Sequence, residues 1–147
     1  MRYVKPFEEF IKDKIIKKVT ADKERARSLI LESERKLNSL NENVEKIGVK
    51  DANANDYAEY CYDIIMFLIR ARLYSEGYTS RGLGAHEAEV SFARYMGFNE
   101  KDILFLDQLR YFRNGILYYG KRLDKEYAEK VLEFTFKNYV KLRTGNI

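Results

Sequence analysis

Arg113, Asn114, Tyr118 and Tyr119 lie in the run Arg-Tyr-Phe-Arg-Asn-Gly-Ile-Leu-Tyr-Tyr-Gly (residues 110–120), where cations and an amide interrupt an apolar, aromatic segment. A guanidinium, a carboxamide and a phenol can all hydrogen-bond phosphoryl oxygens, so this pattern fits a phosphate-bearing ligand or a partner subunit. At about 100° per residue, Phe105, Leu109, Phe112 and Ile116 share one side of a helix, and Arg110, Asn114 and Tyr118 line the other. Leu106, Arg113 and Leu117 accompany that second side. Between Arg110 and Lys125 there are five cations (Arg110, Arg113, Lys121, Arg122, Lys125) and one anion, Asp124, which suits an anionic ligand. Arg110, Tyr119, Lys121 and Arg122 are therefore ligand-binding candidates. The structural alternative for Arg113 is an ion pair with a carboxylate such as Asp107 or Glu59.

Other reactive residue types are sparse. Cys61 excludes an internal disulfide, and with His86 the single histidine, no Cys/His cluster of zinc-binding spacing exists; neither a metal nor a cofactor is expected. Cys61 falls on the apolar stripe of its helix and reads as a small core residue. His86, beside Glu87 after a glycine-rich turn, reads as a capping or packing residue and a weak general-base candidate. Glu59 and Asp63, one turn apart, read as solvated or salt-bridged.

The elements that must position these residues follow from helical periodicity. With 147 residues, 46% hydrophobic and one proline, the chain is sized for one core. No alternating strand pattern or repeat is evident, and the expected fold is all-α, an up-and-down antiparallel bundle of about five helices with an additional N-terminal helix. That first helix is expected from Pro6 to about Val19, making residues 1–20 an extension to a bundle domain over 21–147. Thr20 is the expected N-cap of a helix from Ala21 to Ile47 stopped by Gly48, although residues 7–47 could equally be one helix. Asn53, Asn55 or Asp56 can cap the next, from Tyr57 to Tyr74, which has one apolar stripe at Tyr57, Tyr60, Cys61, Ile64, Phe67, Leu68 and Ala71. Gly77 to Gly84 read as a flexible turn before a short helix over 85–96. Asn99 opens the helix carrying the 110–120 run, Gly120 ends it, and Asp124 caps a last helix to about Leu142.

Charge and hydropathy narrow the setting. Residues 1–50 hold 13 Lys/Arg against 9 Asp/Glu, whereas 51–147 hold 14 of each, so the net charge of +4 belongs to the amino-terminal third. This excess permits nucleic-acid contact without requiring it. No apolar run reaches the roughly 18 residues of a membrane span and no signal-peptide core is evident, so a soluble, cytoplasmic protein without membrane contact is expected.

The helix order, the segment Tyr-Ser-Glu-Gly-Tyr-Thr-Ser-Arg-Gly-Leu-Gly-Ala-His (residues 74–86) and the segment Arg-Asn-Gly-Ile-Leu-Tyr-Tyr-Gly-Lys (residues 113–121) resemble the HEPN (higher eukaryotes and prokaryotes nucleotide-binding) superfamily over roughly residues 21–143. The resemblance implies a bundle that dimerises with its motif helices around a shared cleft. Many members are metal-independent endoribonucleases, and several are toxins paired with a minimal nucleotidyltransferase antitoxin. The implied partners are thus a second copy of the chain, RNA or a nucleotide, and such a nucleotidyltransferase. The family's pattern is Arg, four to six residues, then His, with Asn commonly after Arg. Arg113 and Asn114 match, and Tyr118 or Tyr119 stands where the histidine would be. Arg113, Asn114 and Tyr118 are accordingly the catalytic candidates.

In that chemistry a ribose 2′-hydroxyl attacks the adjacent phosphate, histidine moves the proton and arginine stabilises the phosphoryl charge. Tyrosine titrates at about pH 10, so at neutral pH it is a poor general base unless its pKa falls by several units. On an ideal helix Arg113 and Tyr118 point about 140° apart. A pocket using both is built across a two-fold axis or at a helix distorted by Gly115. The favoured expectation is a dimer whose cleft binds RNA, a nucleotide or a nucleotidyltransferase with weak or absent catalysis. A toxin-like endoribonuclease is the first alternative, and a helical interaction module the second.

Overall fold

The structure, a computed structural model, describes residues 3–146. In chain order it comprises α1 (Phe7–Lys12), β1 (Ile16–Lys18), α2 (Lys23–Ile47), a 3-10 turn (Asp51–Asn53), α3 (Ala54–Ser75), β2 (Tyr78–Ser80), α4 (Ala85–Phe92), a second 3-10 turn (Ala93–Met96), α5 (Glu100–Tyr119) and α6 (Lys125–Thr144). The all-α bundle expected from periodicity is present, with one small two-stranded ribbon added. Among the described residues no helix is long and apolar enough to cross a membrane.

α3 lies at the centre, packed by α2, α4, α5 and α6. The expected single stripe understates it: Tyr62, Ile65, Met66 and Ile69 are buried as well as Cys61, Ile64 and Leu68, while Tyr60 and Phe67 are only half-buried. A helix covered from several sides needs apolar residues around most of its circumference. Its contacts with α2 run in opposite chain order. The Tyr57 hydroxyl donates to the Asn43 carbonyl at 3.1 Å, the Ser33 hydroxyl donates to the Ile64 carbonyl at 2.9 Å, and the Arg25 guanidinium sits over the Tyr74 ring at 4.2 Å, so the two helices are antiparallel.

The amino-terminal segment departs from expectation. α1 stops at Lys12, Lys14 adopts φ 63°, and Ile16–Lys18 pairs antiparallel with Tyr78–Ser80 instead of continuing as helix to Val19. The β-branched cluster Ile15, Ile16, Val19 and Thr20 favours extended backbone, which the sequence pattern masked because each strand has only three residues. Residues 7–47 therefore hold two helices, not one. α2 is capped by Asp22, whose Oδ1 accepts from the Arg25 amide at 2.9 Å, in place of Thr20. The 77–84 segment, read as a flexible turn, contributes the second strand. Val4, Phe7, Phe10 and Ile16 are buried in the same core cluster as α3, and the Arg94 guanidinium donates to the carbonyls of Val4 (2.6 Å) and Lys5 (3.0 Å).

Other stops and caps behave as local chemistry predicts. Gly48 ends α2 at φ 83°, and Asn99 and Asp124 accept from the amides of Asp102 (2.9 Å) and Tyr127 (2.8 Å). Asn53 is the cap residue of α3, but its side chain accepts from the Lys50 amide and donates to the Gly48 carbonyl, fixing the turn and not the helix.

Gly77 is where the ribbon meets the bundle. It has φ +82°, its carbonyl accepts from the Val19 amide at 2.8 Å, and a Cβ there would lie 2.7 Å from the Val19 carbonyl oxygen. Gly77→Ala is expected to cost about 2 kcal/mol or more, through strain and loss of ribbon pairing, measured by urea denaturation. A loss within about 0.5 kcal/mol, as at an ordinary surface site, would contradict this placement.

Candidate functional site

α5 buries two stripes rather than one. Phe105 stacks on Phe134 (4.5 Å between centroids) and Phe112 meets Tyr127 edge-on (5.1 Å), which seats one stripe on α6. The second stripe consists of Ile103, Leu106, Asp107 and Leu109, all buried, on the side of α5 that packs against α3 and α4. Leu106 thus belongs to the core, not to an open polar face. The pairing of α5 with α3 carries Arg110 and Arg113 inward as well.

Both arginines are held by carboxylates. Arg110 Nε donates to Asp107 Oδ1 at 2.7 Å, with side chains only 12% and 6% exposed. Arg113 Nη2 lies 3.6 Å from Asp63 Oδ1, and its guanidinium covers the Tyr62 ring at 5.1 Å. Asp63 Oδ2 also accepts from Lys36 Nζ at 3.0 Å, giving a Lys36–Asp63–Arg113 chain across α2, α3 and α5. The structural partner of Arg113 is therefore Asp63, while Asp107 serves Arg110 and Glu59 serves neither. Two guanidinium N–H groups, Arg110 Nη2 and Arg113 Nε, are buried without an acceptor. Burial pushes the Tyr62 phenol up to about 12, against the nearby charges of Arg70, Arg113 and Arg110, so this ring stays neutral beneath the cations.

The rest of the motif faces outward. Tyr118 is 75% and Tyr119 79% exposed, with Tyr111 at 66% and Leu117 at 50%. Asn114 is half-buried and makes no side-chain hydrogen bond among the described residues. The helix runs without a break through Gly115, so of the two ways to a shared pocket a helix distorted there is not the one present. Gly115 instead admits the returning chain: a Cβ on it would lie 3.2 Å from Lys121 Cγ, and its carbonyl accepts from the Lys121 amide at 3.2 Å. Gly120, at φ 62°, makes that reversal. Asn55, a capping candidate from sequence, serves here: its amide donates to the Lys121 carbonyl and its oxygen accepts from the Leu123 amide, each at 2.8 Å. Asp51 Oδ1 accepts from the Lys125 amide at 2.7 Å. Lys121 and Arg122 are thereby fixed beside the exposed tyrosines.

One chain consequently assembles two separate groups. Arg110 and Arg113 lie between α3 and α5 in ion pairs; Tyr118, Tyr119, Lys121 and Arg122 lie on the open end of α5. Arg113 and Tyr118 do not converge, since one is held against Asp63 and the other is exposed, and the imidazole of His86 contacts Arg70 and Glu89. No family model matches the chain, and neither a curated protein nor a solved structure matches it.

The remaining residues divide as their surroundings dictate. Cys61 is fully buried, and burial pushes its thiol up to about 12 against a hydrogen bond with Thr135, which keeps it unreactive. Asp63 is salt-bridged as expected. With Lys36, Asp56 and Glu59 it lines a cavity of ≈460 Å³ between α2 and α3, where three carboxylates against one ammonium disfavour an anion. Asp63 and Asn55 are the positioning residues, which the sequence offers only as a solvated or salt-bridged carboxylate and as a helix cap.

The two arginines should separate in a stability measurement. Arg110→Ala strands a buried Asp107 and is expected to cost about 3–5 kcal/mol. Arg113→Ala leaves Asp63 with Lys36 at a partly open position and should cost about 1 kcal/mol. Urea midpoints of the two variants check this order, and a larger loss for Arg113→Ala would contradict it.

Proposed function

We propose that this protein is a HEPN-like binding protein: two copies pair through the open end of α5, and the cleft between them holds phosphate groups of RNA or a nucleotide with little or no turnover. The observation that carries this reading is the exposure of Tyr111, Leu117, Tyr118 and Tyr119 together beside Lys121 and Arg122. Aromatic and aliphatic bodies clustered with cations are the composition of protein interfaces and of surfaces on which bases stack while phosphates are neutralised. The divergence of Arg113 and Tyr118 within one chain supports pairing, because a second copy could bring its Tyr118 toward the first copy's Arg113. A nucleotidyltransferase of the kind the resemblance implies would meet the same surface.

The absence of turnover follows from proton chemistry. No histidine stands at the motif position to move the proton, and Arg113 is shared with Asp63. A specific observation also favours a structural share for Arg113, namely its placement between Asp63 and the Tyr62 ring. As a helical interaction module, the chain would keep the α5 surface and lose the ligand.

Fluorescence anisotropy with labelled single-stranded RNA, in excess chelator, tests the reading. Wild type should bind with an affinity that falls steeply with salt, and Lys121→Ala/Arg122→Ala should weaken it by about tenfold at low salt. The RNA should remain intact on a gel. Rapid cleavage abolished by Arg113→Ala would establish the ribonuclease instead. Salt-independent or absent binding would leave the interaction module.

A further inference from the structure

At the opposite end of α3 from the start of α6, a second cluster of cations surrounds a cavity that the α5 site does not use. Its volume is ≈490 Å³, and its walls come from α2 (Arg25, Leu29), α3 (Arg70, Tyr74), the β2–α4 segment (Arg81) and α4 (His86, Glu89). Glu89, the one carboxylate in it, is buried and fully engaged. Its Oε1 accepts from Arg70 Nε at 3.0 Å and lies 3.1 Å from His86 Nδ1, and its Oε2 accepts from the Ser80 hydroxyl at 2.7 Å. Burial alone would push this carboxyl up; the His86 and Arg70 contacts and the Ser80 hydrogen bond outweigh burial and leave it below its ordinary range.

Arg25 and Arg81 are different. Among the described residues neither makes an ion pair. The Arg25 guanidinium carbon lies 4.2 Å from the centre of the Tyr74 ring, a cation–π contact, and its side chain donates no hydrogen bond among the described residues. Arg81 is fixed at the cavity mouth by its own amide, which donates to the Ile15 carbonyl at 2.9 Å. With Arg70 they place three guanidinium groups around one carboxylate, a net excess of two positive charges.

We propose that this cavity binds a small organic phosphate, a monoester dianion whose oxygens are held by Arg25 and Arg81 and whose organic part rests against Leu29. Charge and size select this class. A phosphate monoester carries about two negative charges at neutral pH, matching the excess, and guanidinium forks fit its oxygens in pairs. The cavity is larger than a bare phosphate needs and falls within the roughly 300–1,000 Å³ of small-molecule sites. Arg70 keeps Glu89 neutralised and positions His86, whose Nδ1 lies 3.0 Å from Arg70 Nη2. The site is built from residues distinct from those of α5, and it stands whether or not the chain binds RNA there.

His86 is the chain's single histidine, so its imidazole C–H resonance in proton NMR reports this cavity. Titration of the full chain with inorganic phosphate and with adenosine 5′-monophosphate, at fixed pH and constant ionic strength set with chloride, reads the site directly. Both should give a saturable shift of the His86 signal, with the nucleotide binding tighter than inorganic phosphate. In Arg25→Ala/Arg81→Ala, both residues being exposed and compatible with folding, affinity should fall by at least about tenfold. Lys101→Ala/Lys137→Ala, which removes the same charge from a distant face, should bind as wild type does. A shift that never saturates, or one unchanged in the arginine variant while circular dichroism shows both proteins folded, would overturn the proposal. Equal affinities for the two ligands would overturn the part concerning the organic group.

Discussion

Burial of α3 is the constraint on which the rest of the structure depends. Four helices cover it, so side chains such as Tyr62, Asp63 and Arg70 emerge at seams between neighbours and not into open water. Charged groups at such seams are stable only when paired. Asp63 collects Lys36 from α2 and Arg113 from α5, and Arg70 collects Glu89 from α4. These pairs fix how α2, α4 and α5 sit on the central helix. They also decide which cations remain available for a ligand.

The functional consequence lies in the rotation of α5. Seating Ile103, Leu106 and Leu109 against α3 and α4, and Phe105 and Phe112 against α6, leaves the end of the helix uncovered. Tyr111, Leu117, Tyr118 and Tyr119 occupy it. Arg113, five residues before Tyr118, is turned toward Asp63. A motif that reads as one cluster in the sequence is thus divided between an internal ion pair and an external aromatic surface. Recombining them takes a second chain, which makes pairing the condition for a shared site.

What was legible in the sequence was what depends on near neighbours. Asn99 and Asp124 announce helix starts because their side chains bond amides three residues on, and Gly48 and Gly120 announce stops because their backbones turn left-handed. What was not legible depends on residues far apart. The β1–β2 ribbon joins Ile16 to Ser80, and neither three-residue strand has a pattern of its own. Asp63 as partner of Arg113 and Asn55 as the anchor of Lys121 both come from another helix. Leu106 falls on the polar side of any helix with a single apolar stripe, whereas α5 meets neighbours in two directions. The cavity around Glu89 draws on four elements, and nothing in the spacing of Arg25, Arg70, Arg81 and His86 brings them together.

The most direct test of pairing through α5 is an intermolecular distance measured by pulsed electron spin resonance on the 147-residue chain with one spin label per chain. Cys61 is buried and unreactive, so Tyr118→Cys can be labelled selectively. Leu31→Cys, exposed on α2, provides the comparison. Pairing through α5 gives a narrow, short distance for the label at 118 and a clearly longer one at 31. No intermolecular distance at 118, or a shorter one at 31, would contradict it.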